Sequence, residues 1–163
     1  MCYTPNISCI AQALTAGVGS MARRSWTQKV YNAFYDDDIS KRVFHGHTYS
    51  ANPLACTAAI AGIELLKSKE IQDNIQRVIN SHKDFNNRIK NHPKVKSTRQ
   101  TGIIFALDLN IEMERYGNLR DKLFSFFMSN GVFLRPLGNT IYILAPYVIS
   151  EKQLEKVYKT IED

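Results

Sequence analysis

Apolar and polar positions alternate cleanly over the later part of the chain and irregularly over its first fifty residues. Asn52 and Pro53 make an N-cap and a first helical residue. The run LACTAAIAGIELLKS behind them predicts a helix rich enough in alanine to pack closely on a neighbour. Ile71, Ile75, Val78, Phe85 and Ile89 return to one face of a 3.6-residue period, predicting a second helix over about 69–91 that His92-Pro93 ends. KVKSTRQTGIIFALDL reads as two extended segments about Gly102, the second apolar enough for a buried strand. LRDKLFSFFMSNG predicts a helix with Leu119, Leu123, Phe126 and Phe127 inward and Asn130-Gly131 as its stop. VFLRPLGNTIYILAP predicts two short strands joined through Gly138-Asn139. Ser150 and Gln153 form a capping box ahead of a last helix carrying Leu154, Val157 and Ile161. Helices against a largely antiparallel sheet make an α/β unit of residues 53–163.

The first stretch, residues 1–52, differs in kind. PNISCIA suits a strand, TQKVYNAFY a helix and KRVFHGHTYSANP a loop, but these pieces complete no layered sheet. A slice of sheet leaves edges that something must cover. The segment is therefore expected to belong to a larger domain whose earlier part lies outside this chain.

Composition narrows the possibilities. The 163 residues suit one domain, or a small domain with part of another. With 44% apolar and 22% charged residues, the chain is ordinary for a globular protein with a sizeable core. The net charge of +6 comes from lysines and arginines scattered among acids. It predicts a solvated surface rather than a nucleic-acid site. Cys2, Cys9 and Cys56 are too few and too irregular for a disulfide framework or a zinc cluster, which suits a reducing cytoplasm. The most apolar late stretch, IYILAPYVI, is short and broken by Pro146, so no membrane association is expected.

Three stretches carry candidate chemistry. His45 and His47 would share a face of an extended segment, but a zinc site needs further ligands, and neither His82 nor His92 lies in a matching motif. The same loop suits an anion better: Gly46 admits close backbone approach, Thr48 offers a hydroxyl and an amide, and a helix start follows. Arg135, in FLRPLG, would stand at a strand end, either gripping a carboxylate or pairing with a nearby acid at the surface. In CIAQALTAG an apolar stretch ends at Gln12, where α/β enzymes place reactive groups, yet an amide is nearly inert.

Taken in order, FHGHTYSANPLACTAA, TGIIFALDL, GVFLRP and IYILAPYVIS resemble the C-terminal part of the class III pyridoxal-phosphate-dependent aminotransferases, nearest to their biotin-pathway branch. The likeness runs over essentially the whole chain. It implies the C-terminal portion of a fold-type I transferase: residues 1–52 from the large cofactor-binding domain, and residues 53–163 as connecting helix and complete small domain. It implies a transaminase of homodimers that uses pyridoxal phosphate and, in the biotin-pathway branch, S-adenosylmethionine and 8-amino-7-oxononanoate as substrates. By the same resemblance Thr48 matches the threonine that holds the cofactor phosphate of the neighbouring subunit, and Gly46 lies in the loop lining that pocket. Arg135 matches the arginine for the substrate carboxylate, with Tyr142 close to it.

At the stretch CIAQALTAG the chain departs from the family. Its segment reads approximately Leu-Ser-Lys-Gly-Leu-Thr-Gly-Gly, and the lysine forms the Schiff base with the cofactor. Here the aligned residues are Ile10, Ala11, Gln12, Ala13, Leu14, Thr15, Ala16 and Gly17. The lone pair of a glutamine nitrogen is delocalised into its carbonyl, so it neither attacks an aldehyde nor serves as a base. Losing a positioned base alone costs roughly 10²–10⁴-fold in rate. Lys29, the nearest lysine downstream, falls on the helix beyond the next strand. The aromatic and aspartate that support the cofactor ring in this family lie N-terminal to the region present. The chain alone is therefore expected to have little or no activity. Two roles stay open beside that of an enzyme portion: a silent partner lending Thr48 to a full-length subunit, or a decaying gene fragment.

Overall fold

The computed structural model describes residues 4–111 and 118–163; Cys2 lies outside them. The chain divides into two compact units, Met1–Ser68 and Lys69–Asp163.

The C-terminal unit is built on one antiparallel sheet. Strands β3 (Val95–Thr101), β4 (Ile104–Leu109) and β5 (Thr140–Leu144) lie in the order β3-β4-β5. Gly102, at φ +56°, makes the tight connection between β3 and β4 in a conformation that a Cβ disfavours. Helices α3 (Lys69–Ile89), α4 (Leu119–Ser129) and α5 (Glu151–Glu162) supply the other layer. The core joins Val78 and Phe85 of α3, Phe105 and Leu107 of β4, Phe127 of α4, Ile141 and Ile143 of β5, and Leu154 and Tyr158 of α5. Phe85 stacks on Tyr158 with ring centroids 4.3 Å apart. Burying a side chain of this size contributes about 1.5–3 kcal/mol.

His82 completes that core where periodicity alone showed only a polar residue. It is fully buried, one turn from Val78 and Phe85 on the inward face of α3. Its Nε2 lies 3.0 Å from the Ile103 carbonyl, which can only accept, so Nε2 carries the proton. Its Nδ1 then accepts from the Tyr158 hydroxyl at 2.7 Å. Burial pushes the imidazole's pKa down, partly opposed by the Ile103 carbonyl.

The expected capping box is present. Ser150 Oγ accepts from the Gln153 amide at 3.2 Å, and Gln153 Oε1 accepts from the Ser150 amide at 2.9 Å. Two expectations fail. Val132–Pro136 is no strand: buried Val132, Leu134 and Pro136 alternate with exposed Phe133 and Arg135, but no ladder pairs the segment, and the Leu137–Thr140 bridge lies just beyond it. Pro136 has no N–H to give a ladder. Phe126, expected inward, is 38% exposed, because only Phe127 of that pair faces the core.

The N-terminal unit is thinner. Strands β1 (Ile7–Ile10) and β2 (Arg23–Trp26) form a two-stranded antiparallel sheet with Cys9 opposite Arg24 and Ile10 opposite Arg23. A short 3₁₀ turn, Gln12–Thr15, follows β1, and helix α1 (Gln28–Phe34) follows β2. After a second 3₁₀ turn at Ile39–Lys41, a long loop leads to helix α2 (Pro53–Lys67). Asn52 caps α2 as expected, its Oδ1 accepting from the Leu54 amide at 2.9 Å. Thr15 and Ala59 alone among the unit's described residues are buried. No helix among the described residues is long and apolar enough to cross a membrane.

Candidate functional site

The end of β1 opens into a cleft of about 830 Å³ lined by Gln12, Arg23, Arg24, His47, Tyr49 and Asn52, among others. The 3₁₀ turn Gln12–Thr15 begins two residues after β1, and its first residue lines the cleft. Thr15, fully buried, fastens that turn: its hydroxyl hydrogen is shared between the carbonyls of Gln12, at 3.1 Å, and Gly19. Leu14 N donates to Ala11 O at 3.1 Å, closing the turn from the other side. The turn ends at Ala16 in the left-handed region, φ +51°. The family pattern has glycine at this position, the residue that adopts that conformation without steric cost. Ala16 is thus a further departure in the same eight residues.

Gln12 is exposed, follows the end of β1 and lines the cleft. Among the described residues, no lysine lines the cleft; Lys29 sits on α1 away from it, and Lys41 is paired with Asp36. Arg23 and Arg24 line it and no carboxylate does, so its field favours an anion. Their adjacency in the sequence was the available signal, a doubled arginine on the strand pairing with β1.

The loop before α2 presents His47 and then Tyr49, Ser50, Ala51 and Asn52 to the cleft. His47 and Tyr49 line it, and Gly46 and Thr48 do not. His47 Nδ1 accepts from the Tyr49 amide at 3.2 Å, which stiffens the bend. Thr48 is exposed, and neither its hydroxyl nor its amide has a partner among the described residues. A Cβ placed on Gly46 would meet open space. Ala51, at φ +58°, turns the loop into the α2 N-cap. Among the described residues no three His, Cys, Asp or Glu side chains converge as metal ligands.

The other two candidates belong to the C-terminal unit. Arg135 projects to solvent between buried Leu134 and Pro136, without an ion pair among the described residues. Tyr142 stands on the sheet face opposite the core, 38% exposed, beside Ala106 of β4. The same face carries Asp108, which accepts from Ser97 at 2.8 Å, Arg99 at 2.5 Å and Thr140 at 2.6 Å. The Arg99 guanidinium, then the two hydroxyls, hold that carboxyl at a pKa of about 2. Gln12, Gly46 and Thr48 thus lie in one unit, and Arg135 and Tyr142 in the other.

Comparison with known proteins bears on the family and the fold. The family model described as aminotransferase class-III matches residues 1–163. An adenosylmethionine-8-amino-7-oxononanoate aminotransferase of Synechococcus elongatus is 34% identical over 160 residues, covering 98% of this chain and 37% of that protein. Its counterpart in Methanocaldococcus jannaschii is 30% identical over 175 residues, with the same coverage. The crystal structure of an adenosylmethionine-8-amino-7-oxononanoate aminotransferase from Methanocaldococcus jannaschii matches with a TM-score of 0.86 at 29% identity, over 98% of this chain and 39% of that one. An amine transaminase from an uncultivated Pseudomonas species, in its PLP-bound form, shares the fold with a TM-score of 0.84 at 23% identity, over 97% of this chain and 37% of that one. The chain spans less than two-fifths of the length of these relatives.

Proposed function

The chain belongs to the class-III aminotransferase family, and on that premise we propose that it is the C-terminal portion of a biotin-pathway aminotransferase in which the Schiff-base position is occupied by Gln12. The whole enzyme would transfer an amino group from S-adenosylmethionine to 8-amino-7-oxononanoate. The observation that carries the reading is the residue-12 turn: it opens into a positively lined cleft, and the amide there is joined by no lysine.

Pyridoxal phosphate would supply the electron-accepting chemistry of such an enzyme. The residues present do not fit its covalent hold, because no amine lines the cleft. What remains suits only anion binding: Arg23 and Arg24 within the cleft, and the free hydroxyl and amide of Thr48 outside it. Gly46 leaves the backbone beside Thr48 open to close approach. In this reading Arg135 grips a substrate carboxylate bidentately and Tyr142 stands near it. Residues 1–52 are the cofactor-domain part, and residues 53–163 the connecting helix and small domain.

The outward placement of Thr48 supports a second role. A loop that shows His47 and Tyr49 to its own cleft and Thr48 elsewhere can lend Thr48 to a cofactor phosphate in another subunit. The chain would then act as a catalytically silent partner in a homo-oligomer or beside a full-length subunit.

Adding pyridoxal phosphate to the purified chain tests the first reading. The expected result is no visible absorbance of a lysine Schiff base and no borohydride-trapped adduct in the N-terminal unit. A stoichiometric trapped adduct on a lysine there would overturn it. Co-purification with a full-length aminotransferase, lost on Thr48→Ala, tests the silent-partner role.

A further inference from the structure

Helix α2 meets the Gln12–Thr15 turn at a residue with no side chain. A Cβ built on Gly62 would stand 2.9 Å from the Leu14 carbonyl oxygen, 3.5 Å from the Ala16 Cβ and 3.8 Å from the Ala16 nitrogen. The first separation is shorter than packed atoms tolerate, and both sides of it are backbone, so no rotamer can relieve it. Ala55 and buried Ala59 share this face of α2 at helical spacing, so the helix approaches along a strip of small residues. The turn has little slack to absorb a push. Leu14 N is bonded to Ala11 O, and the Thr15 hydroxyl to Gln12 O, so moving the Leu14 carbonyl moves residue 12 with it.

We infer that Gly62 is a positioning residue: it sets how closely the turn seats on α2, and through the turn where the side chain of residue 12 enters the cleft. The functional part of this inference rests on residue 12 being the Schiff-base position. Gly62 touches no substrate or cofactor; it acts through the Leu14 carbonyl. A side chain at position 62 leaves β1, β2 and α2 in place and displaces the turn between them.

The experiment compares Gly62→Ala with Ala61→Ser, an exposed neighbour on the same helix, in the whole chain. Backbone amide exchange and chemical shifts are read by NMR. In G62A the Leu14 and Val18 amides should exchange roughly tenfold faster and the Gln12–Ala16 resonances should move, with the β1–β2 amides unchanged. A61S should alter neither. An unchanged turn in G62A overturns the proposal, and so does loss of the β1–β2 amides together with the turn, which would make Gly62 a general packing residue. The functional arm uses Q12K and Q12K/G62A treated with pyridoxal phosphate and borohydride. Capture mapped to position 12 in Q12K and lowered about tenfold in Q12K/G62A supports positioning, and equal capture overturns it. If Q12K captures nothing at position 12, the reading of Gln12 fails, and the exchange result still decides whether Gly62 seats the turn.

Discussion

The two units of this chain divide the work of folding unequally. The C-terminal unit buries aromatic and aliphatic side chains from three helices and a sheet around Phe85, Phe105 and Phe127. The N-terminal unit buries only Thr15 and Ala59 among its described residues, and leaves Val18, Tyr35, Phe44 and Leu54 largely exposed. Yet the thin unit holds Gln12, Thr48 and the cleft, whereas the packed unit carries Arg135 and Tyr142 on its own surface. A site assembled on a poorly buried scaffold depends on a few local devices rather than on a core. Here those devices are the Thr15 hydroxyl, the close seat at Gly62 and the two left-handed alanines.

The comparison would break first in the core. Phe85→Ala should cost about 3–5 kcal/mol and, in chemical denaturation followed by NMR, shift the C-terminal transition while leaving N-terminal amides where they were. Concerted loss of both units would show that they do not fold separately. Tyr158→Phe should cost about 1–3 kcal/mol, because it strands the buried Nδ1 of His82.

That histidine also makes the packed unit sensitive to acid. Its folded pKa lies below the ordinary 6.5, so the unfolded chain binds its proton first as pH falls. The stabilisation is full above about 6.5 and declines as pH drops below it, an effect that midpoints measured across pH 5–8 should show in C-terminal signals. Ser150→Ala should cost about 1 kcal/mol, read as a lowered melting temperature with α5 fraying first. The smallest change belongs to the thin unit. Ala16→Gly should stabilise the Gln12 turn by under about 1 kcal/mol, visible as slower Leu14 exchange, because it removes a Cβ at φ +51°.

Much of the packed unit was legible because its order is periodic. The inward face of α3, the buried β4 and the capping box each declare themselves within a few residues. Val132–Pro136 misled because alternation marks burial, and a strand also needs ladder hydrogen bonds, to which Pro136 has no N–H to give. The thin unit was legible through motifs. Gln12 stood out first as an amide at the end of an apolar stretch and then against a family pattern, and its lining of the cleft adds a spatial reason to regard it.

By itself, the sequence determined most of the element order, the family and the presence of an amide, with no amine, at residue 12. These are properties of neighbouring residues and of short patterns. Only the tertiary structure decided that Arg23, Arg24 and His47 share a cleft with Gln12, that His82 is braced between Ile103 and Tyr158, and that Gly62 leaves room for a turn nearly fifty residues earlier. Each joins groups far apart in the chain, and separations of that kind are set by packing, which no local period encodes.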